Sequence, residues 1–208
     1  MEITSVESRK AREKSKLRRA IIETARTIAV NEGFEAVTIR RIASAIEYGP
    51  PAIYALFENK EAIFKEMLSN GYDELLESLK NSDNQEIAPQ ERLLALTRAY
   101  WNFAEYCPRI FNAMNGVDYP PPVEFPKPAA ASQIQSIVGG ILKEIFQPHE
   151  IPAQELDDMV QLLRGTMQGL VSITLAGKIK GGKERALALL ERAVRDYLTA
   201  WRQNLSQH

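Results

Sequence analysis

The chain has one cysteine, Cys107, and two histidines, His149 and His208. A lone cysteine cannot close an intramolecular disulfide, which suits a reducing compartment, and it reads as a small packed hydrophobe more readily than as an oxidant sensor. His149 is followed by Glu150 with no second histidine in register, and Cys107 has no histidine near it. Neither metal-ligand spacing nor a nucleophile and base pair is therefore legible. No phosphate-cradling glycine loop occurs, and no apolar run reaches the roughly 18 residues of a membrane-spanning helix. These absences argue against an enzyme, a metal or cofactor site and membrane insertion. What remains is the expectation of a soluble, cytoplasmic protein.

Charge of one sign is scarce only on average. The formal net charge is −1, yet residues 9–41 carry ten Lys/Arg (Arg9, Lys10, Arg12, Lys14, Lys16, Arg18, Arg19, Arg26, Arg40 and Arg41) against Glu13, Glu23, Glu32 and Glu35. Residues 67–208 hold 14 basic and 17 acidic side chains. A basic front end on a near-neutral molecule is an electrostatic footprint for nucleic acid; the alternative is a solvated, helix-favouring charge run.

The most structured local pattern runs from Thr38 to Lys60. Thr38 suits an N-cap; Ile39, Ile42, Ala43 and Ile46 share one helical face, and Ala43 and Ala45 are small enough for a second helix to cross closely. The break at Glu47-Tyr48-Gly49-Pro50 is followed by a second short helix opened by Pro50 or Pro51, with Ile53, Leu56 and Phe57 as its buried stripe. Asn59 caps a further helix led by Lys60. This is the grammar of a helix-turn-helix.

Thr38, Ile42, Ala43, Ala45, Ile53, Tyr54, Phe57, Lys60 and Glu61 together resemble, without a gap, the DNA-binding pattern of the TetR family of bacterial transcriptional regulators. The resemblance implies that Thr38 and Lys60 hold phosphates and that Arg40 reads guanine, where a bidentate contact is worth ~1–3 kcal/mol of discrimination. Arg41 reads as a phosphate contact or a solvated charge. The second helix departs from the common pattern because Gly49, Pro50, Pro51, Ala52 and Ala55 leave few hydrogen-bonding side chains. Ala52 and Ala55 are expected to meet thymine methyls, and the Tyr48 and Tyr54 hydroxyls to hold phosphates, with bracing of the helix as the alternative for Tyr54.

The rest of the chain alternates long apolar-periodic helices with short breaks. Residues 1–14 read as a mobile basic arm or a frayed helical extension. A first helix starts at Ser15 and closes at Gly33. Lys60 to about Leu79 is helical, and further helices precede Cys107-Pro108 and run from Arg109 to about Asn115. Prolines 120, 121, 122, 126 and 128 make 117–130 a loop or extended cover. Ser132 caps the next helix, and the last two run from about Ala153 to Ile179 and from Lys183 to Leu205, joined at Gly181-Gly182.

Tyr100, Phe103, Ala104 and Pro108 also resemble the Tyr-x-x-Phe-Ala-x-x-x-Pro pattern of one class of TetR-type C-terminal domains. That class continues with a Trp and a His-Gly pair, where this chain has Arg164-Gly165-Thr166-Met167-Gln168-Gly169. Tyr100, Trp101, Phe103, Phe111, Met114, Ile137, Arg164, Met167 and Gln168 are candidate linings of a small-molecule effector pocket, or plain core. Arg164, in an apolar run, either pairs with an acid such as Asp157 or anchors an anionic effector.

The expected architecture is all-α: a three-helix helix-turn-helix DNA-binding domain over 1–60, then a larger helical effector-binding and dimerisation domain over 61–208. The resemblance implies a homodimer through the last two helices, a double-stranded operator as partner, and a ligand-responsive repressor. The rival is a helical small-molecule-binding or enzymatic protein whose helix-turn-helix is structural only.

Overall fold

The computed structural model describes residues 3–116 and 128–206. Nine α-helices occur among the described residues: α1 (Ile3–Glu32), α2 (Ile39–Ala45), α3 (Pro50–Tyr54), α4 (Lys60–Ser82), α5 (Pro89–Tyr106), α6 (Pro108–Met114), α7 (Ala129–Ile145), α8 (Ala153–Leu175) and α9 (Gly182–Leu205). A single 3-10 turn, Phe34–Ala36, separates α1 from α2, and no strand is present among the described residues. The fold is all-α, as expected. Backbone contacts group into two compact units: residues to Gly71 with the segment that begins at Asn112, and Tyr72–Phe111 with the C-terminal helices. One division falls inside α4, between Gly71 and Tyr72.

The first unit is built on the apolar stripe of α1. Ile21, Ile22, Ala25, Ile28 and Ala29 are buried, as are Ile42 and Ala43 of α2, Ile53 of α3, and Ile63 and Phe64 of α4. Gly33, at φ 96°, lets the chain leave α1 by a backbone angle that side chains resist, and returns Phe34 to the core, where its ring meets Phe64 edge-on at 5.9 Å. The basic stretch before Ser15 is helical from Ile3 onward, so the extension continues α1. Ala45 corrects an expectation: it is exposed, whereas Ala43 is buried.

In the second unit, Leu93, Leu94, Leu96, Tyr100, Trp101, Phe103 and Ala104 of α5 are all buried, and α5 packs against α7, α8 and α9. Arg92 is buried with them; its Nε donates to Asp83 Oδ1 at 2.7 Å and its Nη1 to Glu144. Those two carboxylates make its burial tolerable. Helix α7 starts three residues before Ser132, because Ala129–Ala131 are strong helix formers that extend it back to Pro128. Helix α8 stops at Leu175, four residues before Ile179; Gly177, at φ 69°, turns the chain out of the helix. The proline-rich stretch lies, over 117–127, outside the described residues.

Candidate functional site

The turn between α2 and α3 is fixed by its own backbone. Thr38 caps α2, its hydroxyl accepting from the Arg41 N–H at 3.2 Å. At the other end, the Tyr48 N–H donates to the Ala43 carbonyl at 2.9 Å and the Glu47 N–H to that of Ser44 at 3.3 Å. This is a Schellman closure, and its left-handed residue is Glu47, at φ 58°. Gly49 sits in ordinary extended backbone at φ −76° and serves as N-cap of α3.

Pro50 and Pro51 fill the first two positions of α3. Both lack an N–H where a helix has orphan donors to offer, so this helix start is well formed yet has little power to bind phosphate through its amides. Ile53 and Phe57 are buried and fasten the helix to the unit. Its other side points outward: Gly49, Pro50, Pro51, Tyr54 and Ala55 are exposed and Ala52 is half-buried. Tyr48 and Tyr54 are 53% and 56% exposed, large for aromatic side chains with no core role. Ala55 is the C-cap of α3 rather than a residue within it. What faces solvent is an apolar and phenolic surface bordered by cations.

Those cations divide into tethered and available ones. Arg41 is tethered: its guanidinium donates to Glu32, and to the Ala36 carbonyl at 3.3 Å. The sequence, in which Arg41 reads as a phosphate contact or a solvated charge, did not reveal that pairing. The pairing holds the Glu32 carboxyl below its ordinary range, chiefly through the hydrogen bond from Arg41. Arg18 is also tethered, to Glu66 and to the Leu56 carbonyl, with its guanidinium 4.4 Å above the Phe57 ring. Arg40 is exposed and makes no ion pair among the described residues. Lys60 opens α4 behind the cap formed by Asn59, which accepts from the Ala62 N–H at 2.9 Å, and its ammonium lies 5.0 Å from the Phe64 ring centre.

The second unit holds a hollow of about 60 Å³ that opens to solvent. Tyr100, Arg164 and Met167, all anticipated, line it. So do residues that were not: Leu79, Leu93 and Leu96 on one wall, and Ile134, Val138, Val160 and Leu163 on the other. Their helical spacing marked them as core, and nothing in the sequence separates core from cavity wall. Trp101, Phe103 and Phe111 are buried elsewhere, Phe111 meeting Tyr100 edge-on at 5.4 Å. Ile137 and Gln168 are half-buried outside the lining, and Met114, the last residue of α6, is not part of it. Arg164 makes no ion pair with Asp157 or any other acid among the described residues; seven positions along a helix separate the two by about 10 Å.

The outer face of α8 is made of Leu162, Gly165, Thr166, Gly169, Leu170 and Ile173, spaced by threes and fours. Leu162 and Ile173 are 49% and 42% exposed. A side chain placed on Gly165 or Gly169 would meet nothing within 4 Å. Beside this face the Thr166 and Tyr197 hydroxyls share a hydrogen bond of 2.9 Å between α8 and α9, and the Tyr197 and Trp201 rings stack at 5.2 Å. The link between α8 and α9 needs Gly181: at φ 95°, a Cβ there would come within 2.6 Å of the Arg185 side chain.

Residues 21–67 match the family model described as bacterial regulatory proteins, tetR family, and residues 93–197 match that of the tetracyclin repressor-like C-terminal domain. No match was found among curated proteins. The fold is similar to a protein of unknown function from Rhodococcus sp. RHA1, with TM-score 0.73 and 17% identity over 88% of this chain and 94% of that one. It is also similar to a tetR family transcription regulator from Shewanella sp. PV-4, with TM-score 0.65 and 17% identity over 88% and 97% of the two chains. The fatty acid degradation regulator FadR from Bacillus halodurans aligns with TM-score 0.64 and 14% identity over 88% and 94%. Among the described residues no helix is long and apolar enough to cross a membrane.

Proposed function

The chain belongs to the tetR family of bacterial transcriptional regulators, and from that premise we propose that it is a ligand-responsive repressor, without enzymatic activity, that binds a pseudo-palindromic operator as a cytoplasmic homodimer. The observation that carries this reading is the division of labour around α3: Ile53 and Phe57 anchor the helix, while Ala52, Tyr54, Ala55 and the neighbouring Arg40 and Tyr48 stay open to a duplex. Arg40 supplies polar base readout, the alanines and proline rings contact thymine methyls, and Thr38, Tyr48, Tyr54 and Lys60 hold phosphates. Because the first two amides of α3 are absent, phosphate affinity falls to side chains, and base preference leans toward A·T pairs.

The outward stripe of α8 supports pairing with a second copy. Glycines with free space above them have no packing role within one protomer, whereas a facing helix would exploit their low profile. The hollow of the second unit is the effector site, and α4, whose Leu79 lines it, continues unbroken from Lys60 at the DNA-binding end. A ligand that favours one arrangement of that wall would shift DNA affinity by its difference in affinity for the two states.

The test is a gel-shift titration of DNA from upstream of the protein's own gene against random competitor. A competitor-resistant complex that weakens steeply with added salt is the expected outcome. Equal competition by random DNA, or no complex, would favour the rival in which the helix-turn-helix is structural only.

A further inference from the structure

The hollow of the second unit is apolar along most of its wall, yet two groups within it are equipped for an anion and occupied by nothing among the described residues. Tyr100 lines the hollow and is only 9% exposed, and its hydroxyl makes no hydrogen bond among the described residues. Arg164 lines the same space from the exposed side, with no acid paired to it. The two are close enough for the guanidinium charge to be felt by the phenol, where it opposes the strong upward push of burial; Tyr72 feels the same charge. By contrast the Thr97 hydroxyl, also on the wall, is already spent on the Leu93 carbonyl at 2.8 Å.

A neutral phenol donates one hydrogen bond and a guanidinium donates a planar pair, so together they match the oxygens of a carboxylate. Arg164 is the one cation on a wall whose other polar members, Thr97, Tyr100 and Gln135, are neutral, and this fits one negative charge; a nucleotide or polyphosphate would need more. An amine would be repelled, and a wholly apolar guest would leave both donors unused.

We propose that the hollow binds an amphipathic carboxylate, its acyl or aryl body against Leu93, Leu96, Val138 and Leu163 and its head held by Arg164 and Tyr100. The proposal rests on reading the second unit as the effector-binding domain, and it names the chemical class that domain accepts. The closed part of the hollow is small, about 60 Å³, so the body of such a guest extends through the open mouth.

Calorimetric titration of the full chain with octanoate, 1-octanol and octylammonium tests it on the wild-type protein. Octanoate should bind at least about ten-fold more tightly than 1-octanol, since a charge-assisted pair is at stake, and octylammonium should not bind. Arg164→Gln should cost octanoate about ten-fold or more while leaving 1-octanol within about two-fold, and Tyr100→Phe should cost octanoate several-fold. Equal affinity for octanoate and 1-octanol, no binding of octanoate, or an Arg164→Gln variant that keeps its octanoate affinity would each overturn the proposal. The gel shift of ligand-free protein reads the operator proposal separately. Specific DNA binding without octanoate binding sinks the carboxylate alone; octanoate binding without specific DNA binding sustains it and sinks the regulator reading.

Discussion

Arg18 and Glu66 lie 48 positions apart in sequence, yet the Arg18 Nε donates to Glu66 Oε1 at 2.8 Å while its Nη1 reaches the Leu56 carbonyl at 3.1 Å. The same guanidinium covers the Phe57 ring. One side chain of α1 thereby ties the end of α3 to α4, and the orientation of the exposed helix depends on it. The pair is partly exposed, so its Coulombic part is modest, but the carbonyl bond and the ring contact add to it. Arg18→Met should lower stability by about 1–2 kcal/mol in urea unfolding. It should also weaken operator binding without changing base preference. An unchanged unfolding midpoint would show that the contact is idle.

Glu32 and Arg41 give the first unit an acid-sensitive contact. The folded-state carboxyl of Glu32 is held below its ordinary value by the hydrogen bond from Arg41. Its stabilisation is therefore complete above the unfolded value, about 4.3, and lost as pH falls through the lower folded one. Glu32→Gln should be less stable than wild type at pH 7, and the gap should close as the pH is lowered through the carboxylate range. The substitution also releases Arg41 toward solvent, so non-specific DNA affinity should rise. A stability gap that is constant with pH would count against the pairing.

The contrast between Arg40 and Arg41 yields the sharpest test of base readout. They are neighbours on α2, but Arg41 is spent on Glu32 and Ala36 and Arg40 has no such tie. Arg40→Ala should relax base preference at one position per half-site, with a loss of ~1–3 kcal/mol on the preferred sequence and little on random DNA. Arg41→Ala should change affinity for all sequences alike. If a binding-site selection with Arg40→Ala returned the wild-type motif, Arg40 would be a phosphate contact only.

Much of this was legible because helical periodicity reports burial directly. Ile63, Phe64, Met67, Leu68, Leu75, Leu76 and Leu79 of α4 recur at three- and four-residue steps and are all buried. Pairings between distant charges were not, since no spacing links Arg18 to Glu66 or Arg92 to Glu144. Arg92 would pass for a solvated helix residue, yet it is among the least exposed side chains of α5. Nor did composition reveal which turn residue is left-handed. Glycine costs nothing there and glutamate about 1–2 kcal/mol, yet the backbone bonds to Ala43 and Ser44 place Glu47 in that conformation. Separating the hollow from the core required coordinates, because wall and core share the same apolar residues.

The glycines of α8 offer a way to break the proposed dimer without disturbing the protomer. A Cβ on Gly169 meets nothing within 4 Å, and the residue is exposed between Thr166 and Ile173 on the outer stripe. Replacing glycine inside a helix also removes an entropic penalty of roughly 0.5–1 kcal/mol. Gly169→Leu should therefore leave a lone protomer as stable as before or slightly more so. Against a facing helix the same leucine would stand where backbones need to approach, and overpacking typically costs about 1–3 kcal/mol at each copy of the contact. Sedimentation should show the wild-type dimer shifting toward monomer at micromolar concentration, with helical content retained. Operator affinity should fall as well, because one protomer grips only one half-site. A variant that stays dimeric and binds DNA as before would mean that the paired surface lies elsewhere than on this face of α8.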